Sequence, residues 1–400
     1  GIAPYLVDPN NSQKISAKAF KDYEPQVNVM PRVAFSFPIS DVANFFAHYD
    51  ILTQRPSESW NRLDLIGYYY LETNSGAFVN NPALRPERTT DYELGFQQIL
   101  SEKKNAALTL SAFYREFRDM IQIVRVYGAY PVSYLTMGNI DFSTVKGFSI
   151  AYDFRRTKGV QMTANYTLQF ADGTGSSATD GFNLANTGLP NLRTLVPLNT
   201  DQRHAIVFNF DYRFGSGTNY RGPRWTSKKG DSEKTRNIFE NVGANINIRT
   251  GSGTPYSAQS NVTQAVAIGI SQRSVLEGSI KGSRLPWQVR ADVRIDKNFK
   301  IAWGGKEDAK EGEASNKKVS NLNVYLQVLN ALNIKNIQNV YAYTGNPNDD
   351  GYLSAPETQS LINATQPNVE SYRDLYEIKV NNPDFYSIPR RIRLGLLLDF

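Results

Sequence analysis

The feature that most constrains this chain is a strict two-residue alternation that closes it and recurs along its length. From Pro389 to Phe400, Ile392, Leu394, Leu396, Leu398 and Phe400 fall on one face of a strand, with Arg391, Arg393, Gly395 and Asp399 on the other. A soluble strand of this kind needs a helix or second sheet over its apolar face, and the rest of the sequence offers almost no helical periodicity to supply one. The apolar face is therefore expected to meet lipid.

Composition does not oppose that expectation. Mean hydropathy is only −0.44, and no run of about eighteen apolar residues is present, which excludes helical membrane spans. A transmembrane barrel shows lipid only every second residue, so its average hydropathy stays near that of a soluble protein. The 23 tyrosines and 21 phenylalanines suit aromatic girdles at two interfaces, although a tyrosine-rich β-sandwich would also use them. With no cysteine, and with His48 and His204 far apart, thiolate and histidine metal sites are not expected. The +6 net charge is scattered rather than striped, so the partner it suggests is an anionic membrane surface and not nucleic acid.

Eleven segments alternate over enough residues to cross a bilayer at a tilt, about 9–11 each. Their apolar sets are Val27–Phe37, Phe45–Ile51, Tyr92–Phe96, Leu108–Tyr114, Phe148–Phe154, Val160–Phe170, Ile206–Phe214, Val242–Ile248, Val289–Ile295, Leu322–Val328 and the terminal strand. Short or charged connections follow the odd strands and long Gly/Asn/Tyr-rich ones follow the even strands, the pattern of periplasmic turns and extracellular loops. Gly215 to Arg236 and the charged Gly304 to Lys318 are long for turns but belong by order to the periplasmic side. The last strand then runs inward. Eleven is odd, and an antiparallel barrel that starts outside and ends inside cannot close on itself. Either Gly1 to Tyr23 holds a twelfth strand or the chain is about half of a larger barrel; Pro4, Asp8 to Asn11 and Lys14 read as a loop, so the expected fold is all-β, a transmembrane antiparallel β-barrel of which residues 1–400 form about half.

Asn81 to Phe96, NPALRPERTTDYELGF, resembles a signature of the TonB-dependent outer-membrane transporters, in which a proline-stiffened loop enters an E-L-G-F strand. DQRH at Asp201–His204, SGTPY at Ser252–Tyr256, LNALN at Leu329–Asn333 and the terminal PRRIRLGLLLDF are similar and follow in family order. Val340 to Leu353, VYAYTGNPNDDGYL, resembles the Bacteroidetes branch that carries a carboxypeptidase-regulatory-like domain. The resemblance implies the carboxy-terminal half of a 22-stranded barrel, with the first barrel half and the plug outside this chain. It implies residence in a Gram-negative outer membrane among lipid and lipopolysaccharide, and active import of a bulky glycan, peptide or chelated metal. The TonB–ExbB–ExbD complex would supply the energy, and a surface lipoprotein lid is a further partner of such importers. The alternatives are a passive or structural outer-membrane barrel acting as a scaffold, and a soluble β-sandwich binding module. No catalytic motif is visible, so an enzyme is not expected.

Three groups of residues are candidate sites. Asp211, Arg213, Arg249, Arg290, Asp292, Arg294 and Asp296 form a charge ladder that would line the lumen and face a plug, or else simply a water-filled wall. Trp60, Tyr68, Tyr69, Tyr70, Tyr127, Tyr130 and Tyr134 lie in segments expected as extracellular loops, where rings either stack on substrate or pack among loops. Asn346, Asn348, Asp350, Tyr352 and Glu357 in NPNDDGYLSAPE match the spacing of a twelve-residue Ca2+ loop, with asparagine where aspartate usually opens it. The competing reading of that segment is a set of Asx turns.

Overall fold

The computed structural model describes residues 5–10, 16–22, 24–70, 76–127, 133–229, 232–266, 273–303 and 318–399. One antiparallel sheet runs through it in chain order. Its strands are β1 (Arg32–Ser40), β2 (Ala43–Gln54), β3 (Glu87–Ile99), β4 (Ala106–Val126), β5 (Tyr134–Thr157) and β6 (Val160–Gly173). They continue as β7 (His204–Arg213), β8 (Val242–Gly251), β9 (Gln288–Trp303), β10 (Lys318–Leu329) and β11 (Arg391–Asp399). All eleven expected strands are there, each paired with its sequence neighbours. Among the described residues β1 bonds only to β2 and β11 only to β10, so both outer edges of the sheet are open.

The register separates two faces. One carries Phe45, Leu94, Leu110, Phe148, Ile206, Ile295 and, on β11, Leu394, Leu396 and Leu398, of which Leu394 and Leu396 are 78% and 70% exposed. Aromatic rings gather at both ends of this face. At the long-loop end Tyr49, Tyr92 and Tyr114 neighbour one another at 5.2 and 6.2 Å, and His204 stacks between Tyr166 and Trp287 at 6.1 and 5.7 Å. At the short-turn end Phe214 meets Tyr212 at 4.8 Å and Phe239 at 5.5 Å. An apolar band between two aromatic belts is what a bilayer selects.

Cohesion comes from elsewhere. Among the described residues three buried apolar clusters lie beyond the long-loop end, built from Leu84, Ile121, Ile123, Leu135, Met137 and Ala185, from Tyr68, Val79 and Tyr134, and from Tyr341, Tyr352, Ile362, Tyr376 and Val380. The wall itself is held by its hydrogen-bond ladder, and the loops fold on their own small cores.

Turn chemistry explains the tight end. Only Asp41 and Val42 join β1 to β2, and Lys158 and Gly159 join β5 to β6 with positive φ of 52° and 91°. Two consecutive left-handed residues make the hairpin turn whose twist suits paired strands. The connection from β7 to β8 carries a small ribbon, Arg224–Lys229 with Ser232–Asn237. Residues 304–317 between β9 and β10 lie outside the described set.

The structure corrects three expectations. The first strand begins at Arg32, and Val27 and Val29 precede it, 87% and 80% exposed. The segment expected as a long loop after Tyr114 instead continues the ladder, so that β4 and β5 run 21 and 24 residues. Outward Leu108, Leu110, Ala112 and Tyr114 give way to Glu116 and Arg118 there, so the lipid boundary falls near Tyr114. The twelve residues of β4 beyond it rise about 40 Å along the strand at some 3.4 Å per residue. A bulge at Phe117–Met120, with Asp119 at φ 56°, marks the transition. Finally, the loop from β10 to β11 contains helices α1 (Pro356–Thr365) and α2 (Val369–Val380), which strand periodicity could not reveal.

Candidate functional site

The second face of the sheet is polar and internally bonded. Arg213 reaches from β7 across Gly243 of β8 to both carboxylate oxygens of Asp296 on β9, each at 3.0 Å. A side chain at position 243 would collide with that guanidinium, since a Cβ there would lie 2.6 Å from it. Asp296 is 6% exposed and also accepts from Asn323 Nδ2 at 2.9 Å, while Asn323 donates to Asn298 at 2.6 Å. Arg294 donates to Asn323 Oδ1 at 3.2 Å and lies 4.2 Å over the Tyr325 ring. Arg290 holds Asp292 at 2.8 Å, Arg249 donates to Asn247 at 2.9 Å, and Arg156 pairs with Asp211.

All seven ladder residues therefore share one face, and each is engaged within it. Arg156, Asn247, Asn298 and Asn323 complete the network; the alternation placed the asparagines on this face, but nothing in the sequence singled out Arg156 at the end of β5. Two glycines on the same face lie under cross-strand rings. A Cβ at Gly95 would lie 2.3 Å from the Phe46 ring, and one at Gly395 would lie 2.3 Å from Tyr325. Each ring thus lies flat along the wall.

The signature motifs act at the rim. Asn81 accepts from Ala83 N and donates to Met137 O at 2.8 Å, Arg85 pairs with Asp119, and Glu87 accepts from Ile121 N at 2.8 Å. The NPALRPE loop thereby latches onto the β4–β5 bulge. Asp201, 1% exposed, binds Arg284 and accepts from Ala171 N at 2.9 Å. Asn330 and Asn333 turn the chain with φ of 51° and 54° as β10 ends.

The loop aromatics divide. Tyr68 and Tyr134 are buried together with Tyr5 partly covering them, and the Tyr68 hydroxyl donates to Asn80 O at 2.8 Å. Burial raises the Tyr68 phenol, with Tyr5 and Tyr134 nearby adding to the shift. Trp60 packs on the cluster around Leu84. These three rings build loop cores. Tyr70 and Tyr127 are 55% and 58% exposed, and Tyr127 donates to Gly188 O at 2.7 Å. Tyr69 ends a short helix, Leu65–Tyr69, and Tyr130 lies outside the described residues. A cavity of about 270 Å³ opens between the raised β4–β5 hairpin and the β6–β7 loop, lined in part by Gln122, Asp141, Asp180, Asn191 and Lys281. Burial would raise the Asp180 carboxyl, but hydrogen bonds from the Ser177 hydroxyl and the Ser176 amide, with the Lys281 ammonium near, bring it below the usual range. Burial lowers Lys281 despite that carboxylate.

The residues of the expected calcium loop do not fit a cage. Asn346, Asn348 and Glu357 are exposed, whereas Asp350 and Tyr352 are buried in the α1–α2 core. Asn346 Oδ1 accepts from Asn348 N at 2.9 Å, Asn348 Oδ1 from Tyr386 OH at 2.8 Å, and Asp350 from Tyr352 N and Tyr376 OH. The oxygens close Asx turns and anchor tyrosines rather than converge.

An apolar band between aromatic belts outside, a bonded polar wall inside and loop cores beyond one rim define the wall of an outer-membrane β-barrel. The chain belongs to a family within that class: residues 7–330 match the family described as TonB dependent receptor-like, beta-barrel, which places the protein in the Gram-negative outer membrane. No curated protein matches the chain. Among solved structures it is similar to FpvA of Pseudomonas aeruginosa bound to pyoverdines, at 10% identity and TM-score 0.47, covering 92% of this chain and 32% of that one. The outer-membrane transporter YddB of Escherichia coli aligns at 14% identity and TM-score 0.46, over 76% of this chain and 37% of that one. Fiu, the ferric-catecholate import receptor of E. coli K12, aligns at 12% and 0.41, over 77% and 31%. The chain thus spans about a third of each structure's length.

Proposed function

We propose that residues 1–400 are the carboxy-terminal half of a 22-stranded, TonB-dependent importer of a bulky nutrient, of the Bacteroidetes type. The observation that carries this reading is the inner wall: a continuous face of paired Arg, Asp and Asn side chains across β7 to β10. A wall so bonded offers a plug many exchangeable hydrogen bonds, and Arg249, Arg290 and Arg294 are the cations positioned to meet it. A first barrel half would pair with β1 and β11, because an open edge inside a bilayer leaves amides and carbonyls without water. Energy would come through TonB, and cargo would meet the outer loops around Tyr70 and Tyr127 before reaching the plug.

Uptake measurements test the reading. Cells expressing the full-length protein should accumulate one member of a panel of labelled glycans, peptides and metal chelates, and a protonophore should abolish the accumulation. Uptake that survives the protonophore identifies a passive barrel, and no uptake beside intact assembly of neighbouring surface proteins identifies a scaffold.

A further inference from the structure

The ribbon between β7 and β8 is the largest departure from the tight turns at its end of the sheet, and it is chemically distinct. Residues 221–236 contain Arg221, Arg224, Lys228, Lys229, Lys234 and Arg236 against Asp231 and Glu233, a net +4 within a chain of net +6. Two thirds of the protein's net charge is thus gathered in sixteen residues. The register sorts it further. In register, Trp225 pairs with Arg236, Ser227 with Lys234 and Lys229 with Ser232, so no carboxylate residue occupies these alternate positions. The carboxylate residue Glu233 is in register with Lys228.

The root fixes where the ribbon emerges. Phe214, continuing the lipid-facing row of β7, stacks on Phe239 at 5.5 Å and neighbours Tyr220 at 6.2 Å. Tyr220, 2% exposed, donates to Pro223 O at 2.5 Å and accepts from Phe239 N at 3.2 Å. Glu240, the acid nearest the root, is held by Gly217 N at 2.7 Å and Asn237 Nδ2 at 3.2 Å. The ribbon therefore leaves from the aromatic belt on the lipid side of the rim. Trp225 is 65% exposed, with Ile238 and Phe239 each 41% exposed beside it.

We infer that this ribbon is a docking surface for anionic phospholipid headgroups of the inner leaflet. Tryptophan prefers the interface between headgroup and acyl chain, and each Lys or Arg held there gains from a negative surface. A soluble acidic partner would match the charge but leave the lipid-side root and the exposed Trp225, Ile238 and Phe239 unexplained. The assignment of this rim to the periplasmic leaflet rests on the importer reading; the attraction to anionic headgroups does not.

The test uses the full-length protein in bilayers of phosphatidylcholine containing a minor fraction of lipid brominated near the headgroup, either phosphatidylglycerol or phosphatidylcholine. The Trp225 signal is the fluorescence difference between the protein and Trp225→Phe, and Trp287 in the opposite belt reports insertion of the wall. Brominated phosphatidylglycerol is expected to quench Trp225 at least about twofold more than brominated phosphatidylcholine, and Lys234→Gln with Arg236→Gln should equalise the two. Equal quenching in the unaltered protein overturns the headgroup preference. Quenching of Trp287 with none of Trp225 overturns the docking surface and points to an acidic protein instead. If neither tryptophan is quenched, the membrane placement itself fails.

Discussion

Asp201 offers a quantitative trial of how the rim is held. Its carboxylate is 1% exposed, binds Arg284, accepts from Ala171 N at 2.9 Å and has Arg203 at 3.8 Å. Asp201→Ala removes the partner of a guanidinium whose side chain is 23% exposed and strands an amide in a residue 2% exposed. Breaking a buried pair from one side costs about 3–5 kcal/mol, and the partial exposure of Arg284 argues for the lower end, about 3 kcal/mol. At about 1.4 kcal/mol per decade, the Ala171 amide should exchange roughly 150-fold faster. Asp201→Asn keeps an acceptor for that amide and loses only the charge, so its effect should be about 1 kcal/mol. Hydrogen exchange of the protein in detergent or bilayers reads both. Less than threefold acceleration in Asp201→Ala, or equal acceleration in the two variants, refutes the account of Asp201 as the shared anchor of β6 and the β8–β9 loop.

Three further outcomes follow from the same geometry. Leu394→Arg, on the lipid face, should destabilise the folded barrel by about 2–4 kcal/mol in denaturant titrations in lipid. Asp180 has a depressed carboxyl, so its contribution is present above the ordinary carboxylate value and is lost as pH falls through its lower folded value; exchange protection of the Ser176 and Ser177 amides should therefore hold at neutral pH and fall in acid below about pH 4, and Asp180→Asn should abolish that pH dependence. Because Asn346, Asp350 and Tyr352 are engaged within their own loop, the melting temperature should be the same in calcium and in chelator, and a rise with calcium alone would show that the loop reorganises into a cage.

The strand framework was legible because one rule, alternation, governs every residue facing lipid, and the ordering of short and long connections set strand direction without any tertiary knowledge. The ladder from Arg290 to Asp296 was legible for the same reason. What alternation could not show was where lipid ends: β4 and β5 keep their ladder past Tyr114 although their outward residues turn charged, so a strand measured by greasiness stops short. Ring identity left Tyr68 and Tyr134 open between stacking on substrate and packing among loops, since a loop with its own core buries tyrosine as readily as it displays it. The oxygen spacing around Asp350 was real, but Tyr376, twenty-six residues onward on α2, claimed the carboxylate, and a local motif carries no information about such a partner. Arg156 lies at the end of β5, past a register shift after Phe154, where the alternation no longer marks a side chain bound for the wall.

The lengths of the outer connections also order events in time. Only residues 127–133 separate β4 from β5, whereas 330–390 separate β10 from β11. Closing the longer loop costs about 2 kcal/mol more in chain entropy, so the raised hairpin can zip early and locally while β11 arrives late. The helices α1 and α2, packed into their own tyrosine core, shorten that wait by condensing the connection before the last strand pairs. The edge most exposed to mispairing is thus delivered to β10 by a loop that has already folded.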